Sequence, residues 1–148
     1  MTGMEVRQGD HWHLSSQRTK NKLRHDVFLP RQAVEIINRD TRIAGQGDFV
    51  FTTTGDGAVR SFDKPNKRLR AKMNELAGRD LEHFTPHDLR RTCETGLAML
   101  GTPQPIIDRI TNHVTGRGMS RVYNMYDYRD EKLAAIQRWA DHLEGVVS

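Results

Sequence analysis

The segment TPHDLRRT at residues 85–92 places a histidine and an arginine where they could bind an anion together. Thr85 and Asp88 form a Thr-x-x-Asp capping box, with a proline at the first helical position, so the segment predicts a helix N-terminus. His87 and Arg90 are three residues apart and would lie side by side on that helix. Cations are unfavourable at the positive end of a helix dipole, and a bound phosphate would offset that cost. The segment therefore predicts a phosphate-binding group.

Two clusters of basic residues indicate a polyanionic partner. RTKNKLR at 18–24 holds four cations and KPNKRLRAK at 64–72 holds five, and neither contains an acid. Either cluster alone could be a solvated face, but both together, in a chain of net charge +4, favour nucleic acid or an acidic membrane surface. Neither lies on a helix with a strong opposing apolar stripe, which argues against a membrane.

The composition describes one globular domain. The chain has 148 residues, of which 36% are hydrophobic and 28% charged, and its mean hydropathy is -0.72. No apolar run approaches the roughly 20 residues that a membrane span needs, and nothing resembles a secretory signal. The single cysteine, Cys93, excludes an internal disulfide and fits a reducing compartment, so we expect the protein in the cytoplasm.

A β-hairpin is predicted near the start of the chain. HWHLSS and HDVFLP both alternate polar and apolar residues, and RTKNK between them reads as a turn that carries Lys20 and Lys22. Pro30 ends the hairpin. The later FVF run at 49–51 reads as a buried stretch inside a loop.

Helices dominate the rest, so the predicted fold class is α+β and mostly helical, with a small antiparallel sheet at the N-terminal end. Asp63 is the expected cap of the second helix, and Gly78, Gly101 and Gly145 are the expected stops of the second, third and last helices. The side chains expected to point inward, in chain order, are Ala33, Val34, Ile36, Ile37, Leu69, Met73, Leu76, Leu89, Cys93, Leu97, Leu100, Ile106, Ile107, Ile110, Leu133, Ile136, Ala140 and Leu143.

Taken in order, three stretches resemble the catalytic domain of tyrosine recombinases, the phage integrase family. They are RTKNK followed by VFLP, then HDLRRTCETGLAMLG, then NHVTGRGMSRVYNMYDY, with a histidine 26 residues after His87 and a tyrosine ten residues later. The closing DYRDEKLAAIQRWADHL is similar to integrases of genomic islands and prophages. The resemblance covers essentially the whole chain. It implies site-specific recombination of double-stranded DNA.

The implied reaction needs neither a metal nor a cofactor. A tyrosine hydroxyl attacks a DNA phosphodiester and forms a 3′-phosphotyrosyl link, and the 5′-hydroxyl leaves. A second 5′-hydroxyl reverses the step. Positioned cations must neutralise the extra charge of the transition state, and the leaving oxygen needs a proton.

The resemblance assigns roles to five residues. Arg90 matches the arginine that grips a nonbridging phosphate oxygen, which suits its planar fork. His87 matches its partner, which hydrogen-bonds the phosphate or helps to deprotonate the tyrosine, and His113 matches a later histidine that contacts the phosphate. Lys20 matches the lysine that protonates the leaving oxygen, with Lys22 as the alternative.

The nucleophile implied by the spacing from His113 is Tyr123, whereas Tyr126 and Tyr128 are expected to pack or to contact DNA. Further DNA contacts are expected from basic residues of the two clusters and of the third helix: Arg18, Lys22, Arg24, Lys64, Lys67, Arg68 and Arg91.

Ordinary structural roles compete with some of these assignments. Arg90 could simply pair with Glu94 at i+4. His11, His13 and His25 lie near the hairpin but lack further ligands at metal spacing, so we expect solvent-facing histidines and no metal site.

Two parts of the family pattern have no match. The first catalytic arginine lies in a TG-x-R-x-x-E segment, of which TGMEV resembles only the end, and Arg7 comes too late. The family's separate N-terminal DNA-binding domain is also absent. We therefore expect residues 1–148 to be a single catalytic domain lacking both parts, weak or inactive alone, and monomeric without DNA.

The last helix could dock on a neighbouring protomer in a synaptic tetramer on DNA, or pack on its own core. A different hypothesis is a non-catalytic helix-turn-helix DNA-binding module with Gly101 in the turn. Its second helix, PIIDRI, offers few side chains that could read bases.

Overall fold

The computed structural model describes residues 11–38, 51–52, 54–55, 57, 59, 61–113 and 126–148, and the backbone of 6–7. The described part is α+β and mostly helical, which confirms the predicted fold class. Its elements are β1 (Val6–Arg7), β2 (His11–Leu14), β3 (His25–Phe28), α1 (Arg31–Asn38), α2 (Asp63–Ala77), α3 (Pro86–Met99), α4 (Gln104–Ile110) and α5 (Arg129–Val147).

The three strands form an antiparallel sheet in the order β1-β2-β3. In the predicted hairpin, β2 pairs with β3 so that His11 faces Phe28 and Leu14 faces His25. The hairpin loop, residues 15–24, is closed by Thr19, whose buried hydroxyl donates to the carbonyl of Leu23 at 2.6 Å. A satisfied internal hydrogen bond of this kind gives the loop a defined shape.

The main core lies where α3, α4 and α5 meet. Leu97 is fully buried, Ile107 is 2% exposed and Ala135 is 1% exposed. Small residues allow the helices to approach closely, since Gly96 of α3 lies directly against the indole of Trp139 on α5. The inward positions predicted for Leu97 and Ile107 are therefore confirmed.

Several side chains predicted to be buried are exposed. Leu89 is 59%, Ile36 is 56% and Leu143 is 42% exposed, so these three predictions were wrong. Leu69 and Leu76 of α2 are also exposed. No side chain of α2 is buried in the part of the chain that the structure describes. Periodicity identified apolar faces, but these faces are not covered.

The buried face of α5 differs from the predicted one. It centres on Lys132 and Ala135, with Trp139 packed beside them, whereas Leu133 and Ile136 are only half-buried. The small side chain of Ala135 packs with Leu97 of α3 and Ile107 of α4, so α5 lies close to both helices on this side.

Helix ends follow the predictions in part. Gly78 and Gly101 adopt the left-handed conformation at φ 62° and 78°, and each follows its helix as predicted. Gly145, however, does not end α5, which continues to Val147. The N-cap of α2 is Phe62, which has no side-chain acceptor, and Asp63 instead lies in the first turn.

The FVF prediction is wrong at Phe51, which is 44% exposed; residues 49 and 50 lie outside the described part. No described helix is long and apolar enough to span a bilayer.

A polar contact, which we call the α1–α5 clasp, joins the first helix to the last. The backbone N–H of Arg31 donates to Gln137 Oε1 at 2.9 Å, and its guanidinium donates to Glu144 Oε2 at 2.9 Å. Gln32 Nε2 donates to Asp141 Oδ1 at 2.9 Å and to Glu144 Oε2 at 2.8 Å. The clasp fixes α5 beside α1, and the core contacts fix it against α3 and α4.

Candidate active site

The N-terminus of α3 is formed by the predicted capping box. The Thr85 hydroxyl accepts from the backbone N–H of Asp88 at 3.3 Å. Asp88 Oδ2 accepts from the backbone N–H of Thr85 at 2.9 Å and from its hydroxyl at 2.7 Å. These hydrogen bonds to its charged form lower the pKa of Asp88. The first turn of α3 is therefore held rigidly, with its backbone in a defined orientation.

His87 and Arg90 both lie exposed on the first turns of this helix. Arg90 Nε donates to Glu94 Oε1 at 3.0 Å, so the ordinary i+4 ion pair is present. That bond uses one of the five N–H donors of the guanidinium and orients its plane. An arginine held in this way can still present its terminal nitrogens to a phosphate.

His113 lies just beyond the end of α4. Its backbone N–H donates to the carbonyl of Asp108 at 2.7 Å, and Asn112 before it adopts a left-handed conformation at φ 54°. Asparagine is one of the few residues that tolerate this conformation. The reversal it produces ends the helix and leaves His113 exposed.

The hairpin loop contacts the same end of α4. Asn21 Nδ2 donates to Asn112 Oδ1 at 2.8 Å. Lys20 and Lys22 flank Asn21, and His113 follows Asn112, so this bond joins the segment that carries the two lysines to the residue before the histidine. Both lysines are exposed, and Lys22 is held in the left-handed region at φ 57°.

His25 begins β3, directly after the hairpin loop, and is half-buried. Burial lowers the pKa of His25, and the charge of Lys132 lowers it further, with a smaller effect from Arg90. Interaction with the backbone of Ile110 and the charge of Asp26 act in the opposite direction.

One contact links two of the segments that carry predicted site residues. The Asn21–Asn112 hydrogen bond joins the hairpin loop, which carries the two lysines, to the residue before His113. Tyr123 lies outside the described residues, so its assignment as nucleophile stays a prediction.

The other two tyrosines have defined partners. The ring of Tyr128 lies under the guanidinium of Arg109 at 4.3 Å and contacts Tyr126 edge-on at 4.7 Å. The Tyr126 hydroxyl donates to Glu131 Oε2 at 3.4 Å, which raises the pKa of that phenol. A raised pKa makes Tyr126 a poorer nucleophile, because attack requires the phenolate.

The residues predicted to contact DNA are exposed on three elements. The hairpin loop carries Arg18, Lys22 and Arg24, helix α2 carries Lys64, Lys67 and Arg68, and α3 carries Arg91. Two of them have acidic neighbours: Arg24 Nη2 is 3.4 Å from Asp26 Oδ2, and Arg91 Nη1 is 3.7 Å from Asp88 Oδ1. Exposed pairs of this kind are weak and would exchange readily for a phosphate.

The prediction of three solvent-facing histidines was wrong for His11, which is 8% exposed and packs near Phe28. His13 and His25 are half-buried, and His13 Nδ1 is 2.5 Å from Asp26 Oδ1. No group of three or more potential metal ligands occurs among the described residues.

Sequence reasoning missed Asn21 and Asn112, whose side chains join the hairpin loop to the end of α4. It also missed a buried lysine. Lys132 is 6% exposed, with Nζ 2.9 Å from Asp127 Oδ1 and 4.8 Å from the centre of the Phe28 ring. No local pattern marks this lysine as buried.

Comparison with known proteins adds an independent observation. The model of the family described as "Phage integrase family" matches residues 2–129. Prophage integrase IntA of Escherichia coli (strain K12) is 26% identical over 133 residues, which cover 88% of this chain and 30% of the relative. The chain thus spans less than a third of that relative's length. No solved structure matches it significantly.

Proposed function

This chain belongs to the phage integrase family, and we therefore propose that it is the catalytic domain of an enzyme that recombines double-stranded DNA through a covalent tyrosine intermediate. Family membership supports site-specific DNA recombination or integration in general. The tyrosine mechanism and the roles of single residues are the finer part of the proposal. The observation that supports them is the hydrogen bond from Asn21 to Asn112, which joins the hairpin loop to the residue that precedes His113.

In the proposed reaction, the Tyr123 hydroxyl attacks the phosphorus of a DNA phosphodiester. A bond forms between the phenolic oxygen and phosphorus, the bond from phosphorus to the 5′ oxygen breaks, and His87 is the proposed acceptor of the phenol proton. Lys20 gives a proton to that leaving oxygen, with Lys22 as the alternative donor. A 5′-hydroxyl of another strand then attacks the phosphotyrosyl link, and the tyrosine is released. The bond energy is conserved, so the cycle requires no metal or cofactor.

The phosphate would be held by Arg90, His87 and His113. The transition state has more negative charge on its nonbridging oxygens than the substrate, and pre-positioned donors stabilise that charge selectively. The rigid capping box at the start of α3 supports this role, because it holds the turn from which His87 and Arg90 project. Preorganised donors avoid the reorganisation that flexible side chains would need.

Phosphates further along the duplex would contact the exposed cations of the hairpin loop and of α2. Such contacts are independent of sequence and weaken steeply as salt rises. The matched residues cover 30% of the relative, and we propose that this domain alone binds DNA weakly and turns over slowly. The cytoplasm, where the DNA substrate is accessible, is the proposed location.

Assembly on DNA is proposed to involve only the end of α5. The first part of α5 packs in the core of its own domain, where Ala135 is 1% exposed, and Glu144 is bound by Arg31 in the α1–α5 clasp. These residues are therefore not available to a neighbouring protomer. Val146 and Val147, in contrast, are 68% and 82% exposed. In a synaptic tetramer these valines would meet a neighbouring protomer, whereas without DNA we expect a monomer.

A helix-turn-helix module is less well supported. Helices α3 and α4 do flank a turn at Gly101, but α4 has only seven residues and buries Ile106 and Ile107. A recognition helix must instead present its side chains to the major groove.

The test is covalent trapping of the chain on double-stranded DNA with a nick beside the scissile phosphate, because the short strand released cannot religate. We expect a slowly formed protein–DNA adduct that is lost in Tyr123→Phe and kept in Tyr126→Phe and Tyr128→Phe. Mapping of the modified tyrosine by mass spectrometry checks the site. An adduct that survives Tyr123→Phe would contradict the assigned nucleophile, and salt-sensitive DNA binding without any adduct would favour the binding module.

The same assay identifies the general acid. Replacing the 5′-bridging oxygen by sulfur gives a leaving thiolate that needs no proton, so it should restore the rate of a variant that lacks the acid. We expect rescue of Lys20→Ala and not of Lys22→Ala. The opposite pattern would assign Lys22, and no rescue of either would exclude both.

A further inference from the structure

The side chains of Asn21 and Asn112 form a contact that we call the asparagine bridge. Asn21 Nδ2 donates to Asn112 Oδ1 at 2.8 Å, although the two residues are 91 positions apart in the chain. Both asparagines are half-buried, whereas Lys20, Lys22 and His113 beside them are exposed. Each half of the bridge is therefore adjacent in sequence to a residue with a proposed role in the reaction.

The hairpin loop has internal hydrogen bonds around the bridge. The hydroxyl of Thr19 donates to the carbonyl of Leu23 at 2.6 Å, and the backbone N–H of Lys22 donates to the carbonyl of Thr19 at 3.2 Å. Asn21 Oδ1 accepts from the backbone N–H of Leu23 at 3.1 Å, as in an Asx turn. The amide of Asn21 thus binds its own loop with the oxygen and α4 with the nitrogen. Because the loop is bonded internally, a contact at Asn21 can position all of it.

The backbone adopts an unfavourable conformation on both sides of the bridge. Lys22 has φ 57° and Asn112 has φ 54°, and among the described residues Tyr128 is the one other non-glycine residue with positive φ. Asparagine tolerates this conformation, whereas lysine rarely adopts it. Such conformations persist where surrounding contacts enforce them, and they cluster at functional sites. The hydrogen bonds of Thr19 and Asn21 are contacts of that kind.

We propose that Asn21 and Asn112 are positioning residues, whose bridge aligns the hairpin lysines with His113 so that both sides address one phosphate. This inference rests on the proposed function. Neither asparagine contacts the reacting atoms in this scheme. The bridge acts through its neighbours, because a proton donor and a phosphate-binding group on separate elements must be aligned closely before they can act on the same phosphodiester.

The first experiment measures amide hydrogen exchange by NMR, which does not depend on activity. Asn112→Gly removes one partner of the bridge, and glycine suits the left-handed backbone, so this variant should fold. We expect about tenfold faster exchange at the backbone N–H groups of Lys22 and Leu23, as for the loss of one hydrogen bond. A purely local effect of the substitution would not reach these groups, since they lie on the other side of the bridge.

Asn74→Ala is the matched control. Asn74 makes the same two kinds of hydrogen bond on α2, because its Nδ2 donates to Asp80 Oδ1 at 2.9 Å and its Oδ1 accepts from the backbone N–H of Leu81 at 3.0 Å. Its loss should leave exchange at Lys22 and Leu23 within about twofold of the wild type, because a local opening is confined to its own region.

A pair of carboxylate substitutions tests the contact itself. Asn21→Asp and Asn112→Asp each leave one amide and one carboxylate, which can still pair, because the remaining amide can turn its nitrogen toward the carboxylate. The double variant has two acceptors and no donor, and its like charges repel. We expect each single variant to exchange within about threefold of the wild type at Leu23, and the double variant to exceed the product of the single effects by about tenfold.

The adduct assay links the bridge to the chemistry. On saturating nicked DNA, the rate of adduct formation should fall at least about tenfold in Asn112→Gly and stay unchanged in Asn74→Ala, while the dissociation constant of Asn112→Gly for DNA does not change. A substrate with sulfur at the 5′-bridging position needs no proton donor, so the defect should be smaller on it. A general loss of stability would slow both substrates equally.

The outcomes separate this inference from the proposed function. If the wild type forms no Tyr123-dependent adduct, the proposed function fails, but the exchange data still decide whether the bridge holds the hairpin loop. Unchanged exchange at Leu23 in Asn112→Gly, or an equal effect of Asn74→Ala, would overturn the proposal. A defect of equal size on the oxygen and sulfur substrates would also overturn it, because the bridge would then not act through the lysines.

Discussion

Replacing Gly96 by alanine tests the closest contact in the helical core. An added Cβ would lie 2.1 Å from Cζ3 of Trp139, 2.5 Å from Cη2 and 2.6 Å from Cε3. Separations below 3 Å force atoms to move, and three contacts come from one rigid ring. The ring cannot yield by rotating a flexible end, because the three atoms belong to one planar indole. We therefore expect Gly96→Ala to shift Trp139 or to separate α3 from α5.

Two opposing contributions determine the free energy of unfolding. Alanine is the better helix former by about 0.8–1 kcal/mol, which would stabilise α3. Overpacking a well-filled core costs about 1–3 kcal/mol, and this contact lies at the severe end of that range. The net expectation is a loss of about 1–2 kcal/mol. For a chain of this size, that loss corresponds to a decrease in Tm of about 3–8 °C.

Urea unfolding followed by tryptophan fluorescence and by circular dichroism measures this loss. Gly145→Ala is the matched control, since Gly145 also lies in a helix but nothing is within 4 Å of its added Cβ. It should gain up to about 1 kcal/mol. In Trp139→Leu, which removes the ring, Gly96→Ala should cost less than in the wild type. A Gly96→Ala protein as stable as the wild type or more stable would refute the packing described for α3 and α5.

Two further stability changes are expected. Thr85→Ala removes the cap of α3 and should lower the free energy of unfolding by about 1 kcal/mol. Thr95→Ala is the control, because Thr95 is an exposed position on the same helix, and it should not destabilise the protein. Equal effects of the two variants in thermal unfolding would show that the capping box contributes nothing. Asp127→Ala should lower the free energy of unfolding by about 1–2 kcal/mol, because it leaves the buried ammonium of Lys132 without its carboxylate. Lys132→Met should cost less, because the exposed carboxylate of Asp127 stays hydrated. Chemical denaturation compares the two, and a larger loss in Lys132→Met would contradict this asymmetry.

Local signals predicted the ends of several elements well. The Thr85 and Asp88 pair, and the glycines at 78 and 101, act through hydrogen bonds and backbone conformations within a few residues. Such features depend little on the rest of the molecule, so the sequence suffices to find them. The alternating strands on either side of the hairpin loop are of the same kind, because alternation is a local pattern and the two strands are neighbours in the sequence.

What covers a helix face depends instead on distant parts of the chain. The apolar spacing of Leu69 and Leu89 is compatible with a core, yet both are more than half exposed. Lys132 shows the opposite error, since a lysine in a helix is ordinarily a surface residue and here Asp127 and the Phe28 ring accommodate it.

The α1–α5 clasp has a consequence for folding. Arg31 and Glu144 are 113 positions apart, and Ala135 of the same last helix lies in the main core. The long stretch of chain between them must close before these contacts contribute, so this domain should fold more slowly than domains of similar size that are built from sequential neighbours. Until α5 docks, apolar side chains of α3 and α4 stay open to water, and the partly folded chain should aggregate more readily.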